Sequence, residues 1–140
     1  MTENFKIIGS FIKDMSSETP DAQTFIFVRD KISKYRLNID INSKAVKNGI
    51  IEVNTILKFN DQPDVLKKSH FEIVYTSIVK VDEKISDKKE MEKIILCDVP
   101  NKIYPDLERI FINLLSDSGY PGIKLEKKID FTELYKQRSN

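Results

Sequence analysis

The sequence predicts an α+β fold in which a four-stranded antiparallel sheet comes first and helices follow. Four segments within the first 81 residues alternate apolar and polar side chains with the period of two that strands require. Short turn-forming stretches connect them, which is typical of an antiparallel sheet. After Tyr104 the apolar spacing becomes helical. Strands followed by helices indicate a long helix on one sheet face and a short C-terminal helix, within a single domain of residues 1–140.

The four strands should each bury one side. They are predicted at residues 5–13, 35–41, 50–59 and 70–81. Gly9 is a candidate bulge in the first strand, and Asn48-Gly49 is a hairpin turn. Taken by itself, the stretch "KDMSSETPDAQTF" at residues 13–25 reads as a turn, because Asp, Ser and Pro favour turns.

The helices follow the sheet. Residues 82–93 are mostly charged and predict a solvated loop that leads into a short helix. Pro105 fits the first turn of the main helix, residues 105–118, and Gly119 fits its left-handed cap. The apolar stripe of this helix is Leu107, Ile110, Phe111, Leu114 and Leu115. The last helix should start near Asp130, whose carboxylate can cap it.

The charge balance favours neither nucleic acid nor an anionic membrane as a partner. The 140 residues carry 23 basic and 22 acidic side chains, for a net charge of +1. With one cysteine, Cys97, the chain cannot form an internal disulfide, which fits a reducing compartment. We find no secretory leader pattern and no apolar run of membrane-spanning length, so we expect a cytoplasmic protein.

Residues suited to catalysis are few. His70 is the single histidine, and its strand position turns it toward solvent. Cys97 follows an apolar run and is better explained as a small buried side chain than as a nucleophile. The spacings needed for a metal site or for a glycine-rich phosphate loop do not occur. We therefore expect no enzyme, no metal and no cofactor.

Apolar surface is in excess of what one helix can cover. The chain has eight Phe and five Tyr, and Ile112 lies off the stripe of the main helix. Excess apolar area in a small domain indicates either an assembly of copies or a binding groove.

Three segments carry a resemblance to the SecB family of export chaperones. The first resembles the family's segment after strand one, at Lys13, Asp14, Ser16, Glu18, Pro20 and Ala22. The second follows its helix-start rhythm at Pro100, Ile103, Tyr104, Pro105 and Arg109, with Val99 in place of the usual cysteine. The third resembles its closing turn and helix at Tyr120, Pro121, Asp130, Phe131, Leu134 and Tyr135. The middle of the chain agrees with the family in strand pattern more than in residues, so the resemblance as a whole covers nearly the whole chain.

The resemblance implies a homotetramer, a dimer of dimers with the helices sandwiched between sheets. The interface residues would be Leu107, Phe111, Ile112 and Leu115. It also implies an ATP-independent chaperone that binds unfolded secretory preproteins and passes them to the motor SecA. Two alternatives remain: a SecB-like scaffold or chaperone dedicated to one client, such as an antitoxin, and a small-molecule enzyme with a pocket between sheet and helix.

The resemblance also assigns site residues. Acidic side chains on the outer sheet face and on the loop after strand one would bind the basic zinc-containing tail of SecA: Asp14, Glu18 and Glu72, with His70 beside them. Strand alternation independently turns Glu72 away from Phe71 and Ile73. The candidate client-binding residues are Tyr135, Tyr104, Phe131 and Tyr35.

Overall fold

Four strands form one antiparallel sheet in the computed structural model, which describes residues 4–125 and 129–139. The strands are β1 (Phe5–Glu18), β2 (Arg36–Lys47), β3 (Ile50–Asn60) and β4 (His70–Val81). Their spatial order is β1-β4-β3-β2, so β1 and β2 lie at the two edges. A long helix packs on one face and a short helix closes the chain, which confirms the predicted fold class.

β1 is longer than predicted, and this corrects the position of two candidate residues. Asp14 and Glu18 lie within the strand and not in a loop after it. The pairing with β4 shifts register between Ile7 and Gly9 and again between Ile12 and Asp14. Each shift interrupts the alternation of side chains, so the pattern with a period of two stops before the strand itself ends. The first shift confirms the bulge predicted at Gly9.

The connection from β1 to β2 crosses from one sheet edge to the other and contains a helix that the sequence analysis missed. Helix α1 (Ala22–Arg29) is followed by a 3₁₀ turn, Ile32–Lys34. Asp21 caps α1, because its carboxylate accepts a hydrogen bond from the Thr24 N–H at 2.8 Å. The pKa of Asp21 is held below its ordinary value by this bond. We call residues 19–35 the crossover.

The main helix is one continuous helical stretch that begins much earlier than predicted. Helix α2 (Lys88–Lys93), a π turn (Ile94–Asp98) and helix α3 (Val99–Asp117) follow one another without a break. The Val99 N–H bonds the Ile94 carbonyl five residues back, which widens the helix just before Pro100. Pro105 therefore lies inside the helix and not in its first turn. The loop predicted to lead into a short helix is present, and the helix, α2, begins within the charged stretch 82–93, where Asp87 caps it.

The helix packs on the sheet through the stripe that the sequence predicts. Leu107, Phe111 and Leu115 are fully buried in the cluster that also holds Leu57 and Phe71. A second cluster, around Val53, Val79 and Val99, extends the core toward the start of α3. Gly119 has a φ of +101°, as the predicted left-handed cap requires.

Helix α4 (Phe131–Ser139) closes the fold. The Glu133 N–H donates to the Asp130 carboxylate at 3.1 Å, which confirms the predicted start of the helix. Phe131 is buried and packs edge-on against Tyr104, with ring centroids 5.6 Å apart. Among the described residues, none of the helices combines the length and apolar character needed to cross a membrane.

Candidate functional site

The two faces of the sheet carry different candidate sites. One face, which we call the helix face, packs against α3 and includes Leu57, Phe71 and Ile73. The opposite face, which we call the outer face, includes Lys58 and Glu72. Directly opposed residues on antiparallel strands project to the same face, so the register assigns each side chain.

A cleft of about 490 Å³ opens on the helix face near the β2 edge. The end of the crossover and the start of β2 form one wall, and the segment after α3 forms the other. Its lining is Ser33, Tyr35, Leu37, Phe59, Gly122, Ile123, Lys124 and Leu125. Most of these side chains are apolar, which is typical of clefts that bind apolar ligands.

A buried hydrogen-bonded cluster fixes the walls of the cleft. The Ser69 N–H donates to the Tyr35 hydroxyl at 2.9 Å, and the Ser69 hydroxyl lies 2.9 Å from the Tyr120 hydroxyl. The Thr19 hydroxyl lies 2.6 Å from that of Ser69. These bonds join the crossover, the start of β4 and the turn after α3. Burial raises the pKa of Tyr35, so this hydroxyl keeps its proton to a higher pH than an exposed tyrosine does.

Aromatic packing holds the crossover helix against the end of α3. The rings of Phe25 and Tyr120 have centroids 5.2 Å apart. Gly119 lies so close to Phe25 that a Cβ at this position would be 2.6 Å from a ring carbon. The glycine thus serves two needs, a positive φ and a close approach of backbone to an aromatic ring.

The four predicted client-binding residues lie in different places. Tyr35 lines the cleft, although most of its surface is buried. Tyr104 and Phe131 belong to the core and do not line the cleft. Tyr135 is half-buried beside a small cavity of about 20 Å³ between α4 and β2. A role of these residues in client binding stays a prediction.

The sequence analysis missed four apolar cleft residues as site residues: Leu37, Phe59, Ile123 and Leu125. Leu37 was visible as an apolar position of the second strand, but nothing in the alternation separates a cleft residue from a core residue. Ile123 and Leu125 alternate after Pro121-Gly122. That short alternation beside a helix end was the available signal for a cleft wall.

The predicted acidic residues come together on the outer face. Glu18 lies directly opposite His70, and Ser16 lies opposite Glu72. Asp14 and Glu18 are thus diagonal neighbours of Glu72, within reach of one ligand. We call Asp14, Glu18, Glu72 and His70 the outer patch. His70 is the first residue of β4 and half-buried, not a mid-strand residue turned to solvent.

Lysines on the same face reduce the negative charge of this region. The Lys58 ammonium lies 3.6 Å from the Glu72 carboxylate, and Lys13 lies 3.3 Å from Glu52. The pKa of Glu52 is lowered by hydrogen bonds, first from Asn54 and then from Lys13. Asp14 and Glu18 are exposed.

The predicted interface residues divide into two groups. Leu107, Phe111 and Leu115 are buried inside the single chain and have no surface to offer to another copy. Ile112 is partly exposed and lines a shallow groove with Pro105 and Arg109 on the other side of α3. Exposed apolar side chains also gather along the β1 edge: Ile8, Phe11, Ile12 and Met15.

A family model described as "Preprotein translocase subunit SecB" matches residues 1–140. The chain is 88% identical, over the full length of both chains, to the "Putative protein-export protein SecB" of Pelagibacter ubique (strain HTCC1062). It is 30% identical over 136 residues to the "Protein-export protein SecB" of Ruegeria pomeroyi, covering 94% of this chain and 79% of that protein.

The fold also matches a solved structure, a Mycobacterium tuberculosis SecB-like chaperone in complex with a ChAD peptide from the HigA1 antitoxin. The TM-score is 0.69 at 11% identity, and the match covers 90% of this chain and 91% of that one. At this identity the similarity concerns the fold. The whole-length family match and the 88% identical relative identify the chain as a member of the SecB family of protein-export chaperones, which are not enzymes.

Proposed function

We propose that the chain is an ATP-independent chaperone that holds unfolded preproteins in the cytoplasm and delivers them to SecA. The observation that carries this proposal is the cleft on the helix face. Tyr35, Leu37, Phe59, Ile123 and Leu125 line it, so an extended apolar segment can be desolvated there. A folded protein hides such segments, which makes the cleft selective for unfolded chains.

The edge position of β2 supports binding of extended segments. Among the described residues β2 pairs with β3 alone, so its other edge offers free backbone groups next to the cleft. Backbone hydrogen bonds are independent of client sequence, while the apolar cleft favours aromatic and aliphatic side chains. Desolvation and backbone pairing need no nucleotide.

The outer patch is the proposed docking site for the basic tail of SecA. It lies on the sheet face opposite the cleft, so a client and SecA can bind at the same time. Asp14 and Glu18 are exposed and flank Glu72, which supplies a field of negative charge along one end of the sheet. Such a field steers a basic partner and raises its association rate.

We also propose the dimer-of-dimers assembly. The β1 edge supports it, because an edge strand with exposed Phe11, Ile12 and Met15 is a template for pairing with a second copy. Ile112 on the free side of α3 supports a second contact between dimers.

The test of the holding activity is suppression of aggregation of a reduced, unfolded model protein, with and without ATP. We expect stoichiometric amounts of the chain alone to slow aggregation, and Leu37→Glu to lose much of this effect. Ala45→Glu, on the same face at the far end of β2, is the matched control. Suppression that requires ATP, or equal activity of both variants, would contradict the proposal.

Two further measurements in the same aggregation assay separate the alternatives. Tyr135→Asp tests whether the small cavity beside α4 also contributes to client binding, since a desolvated aromatic anchor commonly contributes about 2 kcal/mol or more. Suppression of several unrelated clients favours a general chaperone. Suppression of a single one favours a chaperone dedicated to one client, and this outcome would refute delivery of many preproteins.

The test of SecA docking is calorimetric titration with a peptide of the SecA tail. We expect Glu72→Lys to weaken binding, most strongly at low salt where screening is least. Glu83→Lys, an exposed loop position after β4, makes the same charge change away from the patch. Equal binding by wild type and Glu72→Lys would remove the patch from the proposal.

A further inference from the structure

We infer that Lys58 is an internal competitor of the basic partner at the outer patch, because its ammonium occupies the Glu72 carboxylate in the unbound protein. This inference rests on the proposed docking of the SecA tail and deepens it, since it identifies a residue that sets how tightly the patch holds a basic peptide. Three observations carry it: the strand register, the ion pair of Lys58, and the lack of such a pair at the exposed carboxylates of the patch.

The sheet itself holds Lys58 opposite Glu72. The two residues are direct partners in the pairing of β3 with β4, so their side chains project from the same face. The Lys58 ammonium lies 3.6 Å from the Glu72 carboxylate, which is within ion-pair distance. Because strand pairing fixes the two backbones, the lysine stays within reach of this carboxylate as long as the sheet is intact. Lys58 therefore competes with any external cation for Glu72.

The two exposed carboxylates of the patch have no such competitor. Within the described residues, no Lys or Arg side chain forms an ion pair with Asp14 or Glu18. Lys13, which precedes Asp14 in the chain, lies 3.3 Å from a different carboxylate on β3. A basic peptide thus meets two carboxylates without a bound cation, and a third that it can use only by displacing Lys58.

Both partners of the ion pair are open to solvent, so Lys58 can be displaced. The relative exposure is 51% for the Lys58 side chain and 26% for that of Glu72. Exposed ion pairs are weak, and salt screens them. Lys58 therefore lowers the affinity of the patch without closing it. It does so in two ways, because it occupies one carboxylate and also repels a second cation placed nearby.

The expected effect of removing the Lys58 charge follows from these two contributions. Relief of one exposed ion pair and of one like-charge contact should each strengthen binding about twofold to threefold. Lys58→Gln should therefore bind the SecA tail peptide about fourfold to ninefold more tightly than wild type at about 50 mM salt. The gain should fall below about twofold at about 0.5 M salt, where the screening length is a few ångströms.

The experiment is calorimetric titration of a SecA tail peptide into wild type and single variants at both salt concentrations. Lys58→Arg keeps the charge and the ion pair, so it should bind the peptide no more tightly than wild type. Lys80→Gln is the matched control, because it removes the same charge from an exposed position of the same sheet face, about 26 Å along β4 from Glu72. Melting curves followed by circular dichroism check that each variant folds.

A double-mutant cycle with Glu72→Gln separates competition from repulsion. If Lys58 acts by occupying Glu72, then Lys58→Gln should strengthen binding only about twofold in the Glu72→Gln background. If Lys58 only repels the peptide, its removal should give the same gain in both backgrounds.

The expected result is a gain for Lys58→Gln that is lost at high salt, absent in Lys58→Arg and Lys80→Gln, and reduced in the Glu72→Gln background. No gain in Lys58→Gln, an equal gain in Lys80→Gln, or the same gain in both backgrounds of the cycle overturns the inference and leaves the proposed docking standing. If neither wild type nor Lys58→Gln binds the peptide, the proposed docking and the inference fail together.

Discussion

Gly119→Ala tests whether the end of α3 positions the crossover. The residue has a φ of +101°, and a Cβ there would lie 2.6 Å from one carbon of the Phe25 ring and 3.1 Å from another. Phe25 in turn packs on Tyr120, whose hydroxyl belongs to the cluster that fixes the cleft wall. The substitution therefore strains the backbone and pushes the crossover helix outward.

The magnitude has two parts. An alanine in the left-handed region costs about 1–2 kcal/mol. Displacing a packed ring from a contact of this kind costs about 1–3 kcal/mol more. The free energy of unfolding should fall by about 2–5 kcal/mol, a large share of the stability of a small domain.

Gly122→Ala is the matched control. Its φ is +81°, but a Cβ at this position would meet nothing within 4 Å. It should cost the backbone term alone, about 1–2 kcal/mol. Urea unfolding followed by circular dichroism, at one fixed protein concentration, measures both variants, since assembly would make stability depend on concentration.

A double-mutant cycle with Phe25→Ala separates the ring contact from backbone strain. Once the ring is removed, Gly119→Ala should cost no more than Gly122→Ala, so the cycle should show a coupling of about 1–3 kcal/mol. The reasoning is refuted if Gly119→Ala is no more destabilising than Gly122→Ala, or if the cycle shows no coupling.

Three further predictions concern single side chains. The Tyr104 hydroxyl is buried without a hydrogen-bond partner among the described residues, so Tyr104→Phe should leave stability unchanged or raise it by up to about 1 kcal/mol. Burial raises the pKa of Tyr104 from 10.0 to about 12. As the pH rises, the unfolded chain therefore loses the proton of this hydroxyl before the folded chain does. Urea unfolding should show that wild type loses stability relative to Tyr104→Phe as the pH rises from 10 toward 12. Asp21→Ala should lower the melting temperature at neutral pH, and the difference should vanish as the pH falls below the ordinary carboxyl range, because the lowered pKa of Asp21 stabilises the fold only while it is ionised. In light scattering, Met15→Lys should disrupt the dimer and Ile112→Asp only the dimer–dimer contact; a mass unchanged by both would contradict the proposed assembly.

Much of the sheet could be predicted from the sequence because its alternation is set by burial of one face. Leu57, Phe71 and Ile73 lie on the predicted face and are buried. The ends of elements were less predictable. The bulges in β1 reverse the alternation of side chains. The predicted strand was therefore too short, and Asp14 and Glu18 were assigned to a loop.

The long helix shows why local signals can mislead. Pro105 is well suited to a first turn, and charged residues before it suggest a loop. In the structure the helix continues through Pro100 and Pro105. Ile94, Val99 and Ile103 bury apolar surface that a break in the helix would expose. A prediction from proline alone omits this tertiary stabilisation.

The candidate site was predictable only in part, since a cleft depends on segments far apart in sequence. Tyr35 was identified, but Leu37 and Ile123 become neighbours only after the crossover and the turn after α3 meet. The outer patch was easier to predict from the sequence, because strand alternation alone assigns Glu72 to the outer face. The register of β1 then adds Asp14 and Glu18.

The cleft and the outer patch share one end of the sheet, and this predicts that they are coupled. Glu18 and His70 of the patch directly adjoin Thr19 and Ser69 in the chain, and Ser69 bonds Tyr35 in the cleft wall. A basic peptide that moves the ends of β1 and β4 therefore also moves the Ser69 N–H, which donates the hydrogen bond to the Tyr35 hydroxyl.

We expect the SecA tail peptide to weaken client binding about threefold or more, and the client to weaken tail binding by the same factor, since coupling is reciprocal. Tyr35→Phe removes the acceptor of the Ser69 N–H and keeps the ring. In this variant both ligands should still bind, and the ratio of the client affinities without and with tail peptide should approach one. Anisotropy titrations of labelled client peptide, with and without saturating tail peptide, measure the ratio. A ratio of one in wild type, or the same ratio in Tyr35→Phe, would show that the two faces act independently despite their shared strands.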